Sequence, residues 1–127
     1  MDPFAASVTL LHGALDNGGA TLHADGDHIL NTETRWVVAV RPAQSVTIPA
    51  SVTGRLAVEE WVDFVNVAGL AADEGVGSWK DGSTVVLDVV RFVGTRAAAV
   101  RLGRASGQQA IYHPATGNTV FLKGASK

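Results

Sequence analysis

Residues 84–92 read TVVLDVVRF, and alternation along an extended chain puts Val85, Leu87 and Val89 on one face and Val86, Asp88 and Val90 on the other. A strand that is apolar on both faces is read as central in its sheet. Just before it, GSWKDG contains Asp81-Gly82, one of the strongest hairpin dipeptides. The expectation is a hairpin of strands 76–80 and 84–92, with Asp81 and Gly82 as its structural turn residues. Asp88 then stands as a carboxylate within an apolar strand, and burying it alone would cost several kcal/mol. No second acid, histidine or metal pattern lies beside it in the chain. It is therefore read as an architectural acid, tied by an arginine or a backbone turn to a neighbouring loop or helix start.

The flanking segments extend this hairpin into a sheet with helices. Asp2-Pro3 looks like a helix start, a capping acid before a proline at the first helical position. Phe4, Val8, Leu11 and Leu15 follow at helical spacing, and DNGG supplies a stop, giving a helix over 3–15. Asp25-Gly26 marks a turn, RWVVAV (35–40) a strand, and SVTIP (45–49) a short strand ended by Pro49. Over 56–70 the period becomes helical, with Val58, Trp61, Val62, Val65 and Ala68 inward and Glu59 and Glu60 near the N-terminus. Thr95 as a cap, the alanines and Gly107 predict a third helix over 96–105, with Ala98, Leu102 and Ala105 inward. QAIYHPATGNTVFLK reads as a terminal hairpin around Pro114 and Gly117. Together these predict an α+β fold in one compact domain, an antiparallel sheet of about 5–7 strands with three helices packed on it.

Composition narrows the chemistry. With 127 residues, 46% of them apolar, the chain can bury a core unaided, and the absence of cysteine excludes disulfides, thiol catalysis and cysteine-based zinc sites. No apolar run approaches the roughly 18 residues of a membrane span, and MDPF lacks the basic start of a secretory signal. A cytoplasmic protein without a membrane partner is expected. The net charge of −2 conceals a segregation: residues 1–82 hold four Lys/Arg against eleven Asp/Glu, and residues 83–127 hold six against Asp88 alone. Opposed acidic and basic faces can orient a partner or favour head-to-tail association of the chain with itself.

Three clusters carry candidate chemistry. His23, Asp25, Asp27 and His28 offer imidazole and carboxylate metal ligands in HADGDH, although the spacing on a hairpin does not converge them and the order of a calcium loop is missing. A polar turn is the simpler reading, with a metal-dependent enzyme as its alternative, and no cofactor is implied. Arg91, Arg96, Arg101 and Arg104 form a basic stretch able to contact phosphates, which makes nucleic acid a candidate partner. Trp79, beside Lys80 on the hairpin, is the tryptophan expected to be exposed and a candidate anchor for a protein partner, whereas Trp36 and Trp61 are expected in the core. Neither a nucleophile elbow nor a phosphate-binding glycine loop is present, and His113, next to Pro114, is read as an exposed turn residue.

The segment VGSWKDGSTVVLDVVRFVGTRAAAVRLGRASGQQAIYHPATG resembles the carboxy-terminal half of small uncharacterised proteins encoded by phages and integrative elements of actinobacteria and other Gram-positive bacteria. The residues that carry the likeness are Gly77, Trp79 and Asp81 in the hairpin, Leu87-Asp88-Val89 in the strand, Ala98 and Leu102 in the helix, and Gly107, Gln108, Ala110, Ile111 and Tyr112 after it. GGATL, RWVVAV and the second helix are similar more loosely, and where that group has a Thr-Gly or Gly-Tyr turn this chain has NTETRW. The resemblance implies a third helix rather than a long strand, and a non-enzymatic accessory protein that binds a host or phage protein. It implies no established activity.

Overall fold

A computed structural model of the chain describes residues 1–122. Three helices, α1 (Pro3–Asn17), α2 (Arg55–Ala68) and α3 (Arg96–Ala105), accompany seven strands: β1 (Gly19–His23), β2 (Trp36–Val40), β3 (Val46–Pro49), β4 (Glu74–Asp81), β5 (Thr84–Val93), β6 (Ala110–His113) and β7 (Asn118–Phe121). The strands form one antiparallel sheet in the order β1-β4-β5-β2-β6-β7, with β3 also on β5. The predicted α+β class and the central place of the LDV strand are both observed. Lys123, the last residue of the expected terminal run, lies outside the described residues.

Register assigns the faces. Ala20, Leu22, Val38, Val40, Val76, Val85, Leu87, Val89 and Ile111 share a core with the inward residues of all three helices, so the helices lie on one side of the sheet. The other side carries a smaller cluster of Val37, Val90 and Phe92, against which Ile29 from the β1–β2 connection packs. That connection is fastened by Arg35, whose guanidinium lies 5.0 Å over the Phe92 ring and hydrogen-bonds Glu33. Those bonds hold the Glu33 carboxyl down at about 2. Elsewhere this second face is open, and Trp79, Tyr112 and Phe121 all project from it.

Helices α1 and α3 start at side-chain caps, but each turns inward a face that differs from the expected one. In α1, Asp2 accepts from the Phe4 N–H at 3.0 Å and Gly18 closes the helix at a φ of 87°. The buried stripe is Ala6, Ser7, Leu10, Leu11 and Ala14, whereas Phe4, expected inward, is 55% exposed beneath the Arg55 guanidinium. Leu10 and Leu11 fill this stripe, and α1 lies close on β1 where Gly13 faces it: a Cβ there would stand 2.5 Å from that of Ala20. In α3, Thr95 caps the Ala98 N–H and the predicted limits hold, yet Ala99 and Gly103 face the core instead of Ala98 and Ala105. Gly103 is pressed against Leu122 and Ile111, where a larger side chain would not fit. In α2 the inward residues are Val58, Trp61, Val62 and Val65 as expected, while Ala68 is exposed. Glu59 sits one turn in from the start and pairs with Arg55 at 2.7 Å, so it serves an i,i+4 bridge rather than the helix end.

The β4–β5 turn is displaced by one residue from the expected dipeptide. Asp81 pairs with Thr84, and Gly82-Ser83 forms the loop, with Gly82 at a φ of 61°. A positive φ at the first of two loop residues is the demand that glycine meets without strain.

Candidate functional site

On its second edge β5 meets two strands in succession. β2 pairs with residues 89–93 and β3 with residues 84–87, so Asp88 lies where one partner ends and the other begins. Between them the chain leaves the sheet at Arg41, in the left-handed region at a φ of 52°, makes a single tight turn over Pro42–Gln44, and returns at Ser45. The detour has a polar purpose at each step. Ser45 donates its hydroxyl to Asp88 Oδ1, and the Gln44 carbonyl accepts from the Trp61 indole at 2.7 Å.

Arg41 reaches Glu74, which is 1% exposed and also accepts from the Ala71 N–H and from Arg91. Burial alone would raise the Glu74 pKa, but the Ala71 N–H and the two arginines outweigh it and hold the carboxyl below its usual range. Neither Arg41, Ser45 nor Glu74 stands out in the sequence. Arg91, expected among the free basic residues, is instead a ligand of Glu74, with Asp73 3.9 Å from its Nε. Its position inside a ladder strand next to a buried acid explains the difference.

The other oxygen of Asp88 accepts from the Trp79 indole N–H at 3.3 Å. Trp79 pairs across the ladder with Val86, and Asp88 pairs with Gly77, so this bond runs diagonally over a residue without a side chain. The indole is thereby held along the open face, and it remains 47% exposed. Asp88 itself is 7% exposed. Burial pushes its pKa up, against the hydrogen bonds from Ser45 and Trp79 that pull it down. The expected arginine or backbone partner is therefore replaced by a hydroxyl and an indole. These three side chains form a fixed, half-open aromatic platform over a buried acid. Lys80 and Asp81, at the tip of the same hairpin, are exposed.

The remaining candidates do not come together. The His23 ring packs on Phe92 at 4.8 Å, Asp25 accepts from the Asp27 N–H in a local turn, and His28 bonds the Ile29 carbonyl. Among the described residues no group of three or more His, Asp or Glu is arranged to hold a metal ion. His113 is not a free turn residue: its Nε2 bonds the Thr34 carbonyl at 2.8 Å, its Nδ1 bonds the Thr116 hydroxyl, and its ring packs on Trp36. Arg96, Arg101 and Arg104 are exposed on α3, on the helical side of the sheet, whereas Trp79 is on the opposite face. No helix among the described residues is long and apolar enough to cross a membrane.

In comparisons with family models, curated proteins and solved structures, nothing matches the chain. Its chemistry is accordingly read from its own geometry: an α+β protein with helices on one face of the sheet and a braced tryptophan on the other.

Proposed function

We propose that the protein is a non-catalytic binding module that engages another protein through the open face of its sheet, with Trp79 as the anchor. In line with the motif resemblance, the partner is a host or phage protein and the setting is the cytoplasm of a bacterial host that carries a phage or mobile element. The observation that carries this reading is the bond from the Trp79 indole to buried Asp88, with about half the ring left in solvent. An aromatic side chain that is already immobilised loses little entropy on binding, and tryptophans of this kind dominate binding energy at interfaces. Lys80, at the hairpin tip beside it, supplies a charge for orientation.

The test is affinity capture on tagged wild type and on Trp79→Ala from lysates of actinobacterial hosts, followed by titration of each captured protein against both forms. A partner whose affinity falls about tenfold or more with Trp79→Ala supports the reading. Equal binding by the two forms would place the contact elsewhere and refute it.

A further inference from the structure

Helix α2 carries apolar residues on two sides. One side is core; the other exposes Leu56, Phe64 and Val67, at 61%, 54% and 84%. Glu60 and Asp63 lie on that same outer side by helical spacing, and Glu59 and Pro3 join them in lining a groove between α2 and the start of α1. Glu59 is bridged to Arg55, whereas Glu60 and Asp63 form no ion pair among the described residues. An exposed face that mixes large apolar side chains with acids marks a contact surface, and its acids state what charge it accepts.

The complement is on the chain itself. Arg96, Arg101 and Arg104 fall within about 140° of the α3 circumference, with Ala97 among them. They too form no ion pair among the described residues. A symmetric contact of α2 with α2 would set Glu60 and Asp63 against their own copies. Seating α3 on α2 pairs acid with arginine, and the arginine stems lie along Leu56, Phe64 and Val67. We propose that copies of this protein associate head to tail, the arginine face of α3 in one copy seated on the acidic, apolar face of α2 in the next. Each copy has both surfaces, so the contact repeats and builds a ring or an open filament. Trp79 takes no part in it.

Sedimentation of the full chain from about 10 μM to about 1 mM, at about 0.05 M and about 0.5 M NaCl, tests this, with two charge-reversed forms, Arg101→Glu/Arg104→Glu and Glu60→Arg/Asp63→Arg. The expected wild-type mass rises with concentration at low salt and falls back toward the monomer at high salt. Each reversed form alone associates about tenfold or more weakly, and an equimolar mixture of the two regains association because acid again meets base. All four side chains are exposed, so both forms should stay folded. The Arg101→Glu/Arg104→Glu form should melt at most a few degrees lower, because glutamates near the C-terminus of α3 oppose its dipole, and recovery in the mixture separates lost contact from lost fold. A wild type that is monomeric throughout at low salt overturns the proposal, as does an oligomer that persists in both reversed forms. So does a monomeric protein whose α3 arginines give steeply salt-dependent retention on DNA, which would make that face a nucleic-acid surface.

Discussion

Replacing Asp88 by asparagine removes a buried charge and keeps the shape of the side chain. The new carbonyl accepts from the Trp79 indole and the new amide donates to the Ser45 hydroxyl, which accepts as readily as it donates. Burial raises the Asp88 pKa, so the folded protein binds this proton more tightly than the unfolded chain does. The resulting stability is present in full below the ordinary carboxylate range and is lost as pH rises through that range to the raised folded-state value. Asp88→Asn is therefore expected to match wild type in acid and to be at least as stable at neutral pH. Asp88→Ala differs, because it strips Ser45 and Trp79 of their acceptor and opens a void. A hydrogen bond to a charged group contributes about 1.5–3 kcal/mol, but here the indole bond is long, Trp79 can turn to water, and the carboxylate's desolvation is relieved. The net loss is roughly 1–2 kcal/mol, a fall of roughly 4–8 °C in melting temperature for a domain of this size. Thermal denaturation followed by circular dichroism from about pH 4 to about pH 8 measures all three proteins. If Asp88→Ala melts with wild type at neutral pH, or Asp88→Asn falls as far as Asp88→Ala, the account of this acid is wrong.

Glu74→Ala should lose about 2–3 kcal/mol in urea denaturation, since it leaves the inward-facing ends of Arg41 and Arg91 without their shared acid although both can partly reach water. Because the Glu74 carboxyl is held below its usual range, its contribution is full above that range and fades as pH falls, so acid should destabilise wild type more than Glu74→Gln. Gly103→Ala puts a methyl 2.7 Å from Leu122 Cδ1 and 3.1 Å from Ile111 Cγ2, and should cost about 1–3 kcal/mol by overpacking in the same assay. Gly75→Ala should be worse and should broaden the amide spectrum of β1, because its Cβ would collide with the Leu22 carbonyl rather than with a movable side chain. A mild phenotype for Gly75→Ala would contradict the β1–β4 register.

Much of the fold is legible in the chain where local chemistry and long-range packing agree. Thr95 and its following alanines define α3 to the residue, and the two-sided apolar run of β5 identifies the centre of the sheet. Helix faces were harder. Phe4 is among the most hydrophobic residues of α1, but the helix buries Ala6, Ser7, Leu10, Leu11 and Ala14, and the bare backbone of Gly13 lets it approach Ala20 of β1 more closely than a side chain would permit. The polar detour at 41–45 left no signal, since no periodic pattern distinguishes a strand that pauses from a strand that ends. Its residues acquire meaning only from Asp88, Trp61 and Glu74, which approach from distant parts of the chain.

The candidate site turned on a single residue of turn placement. A loop centred on Asp81-Gly82 would pair Lys80 with Ser83, Trp79 with Thr84 and Asp88 with Gly75. The observed loop, Gly82-Ser83, shifts each partner by two positions and pairs Trp79 with Val86 and Asp88 with Gly77. A shift of two leaves every side chain on its original face, so the hydrophobic pattern cannot tell these registers apart. The polar residues can. Only in the observed register does Glu74 stand opposite Arg91, at 3.3 Å, while Trp79 lies on the diagonal that brings its indole to Asp88. Two buried carboxylates thus find donors at once, and the alternative would set Glu74 against Val89 and leave Asp88 without the indole. The same requirement that selects the hairpin register also fixes the exposed tryptophan, so the acid that looked purely architectural is what holds the proposed binding surface in place.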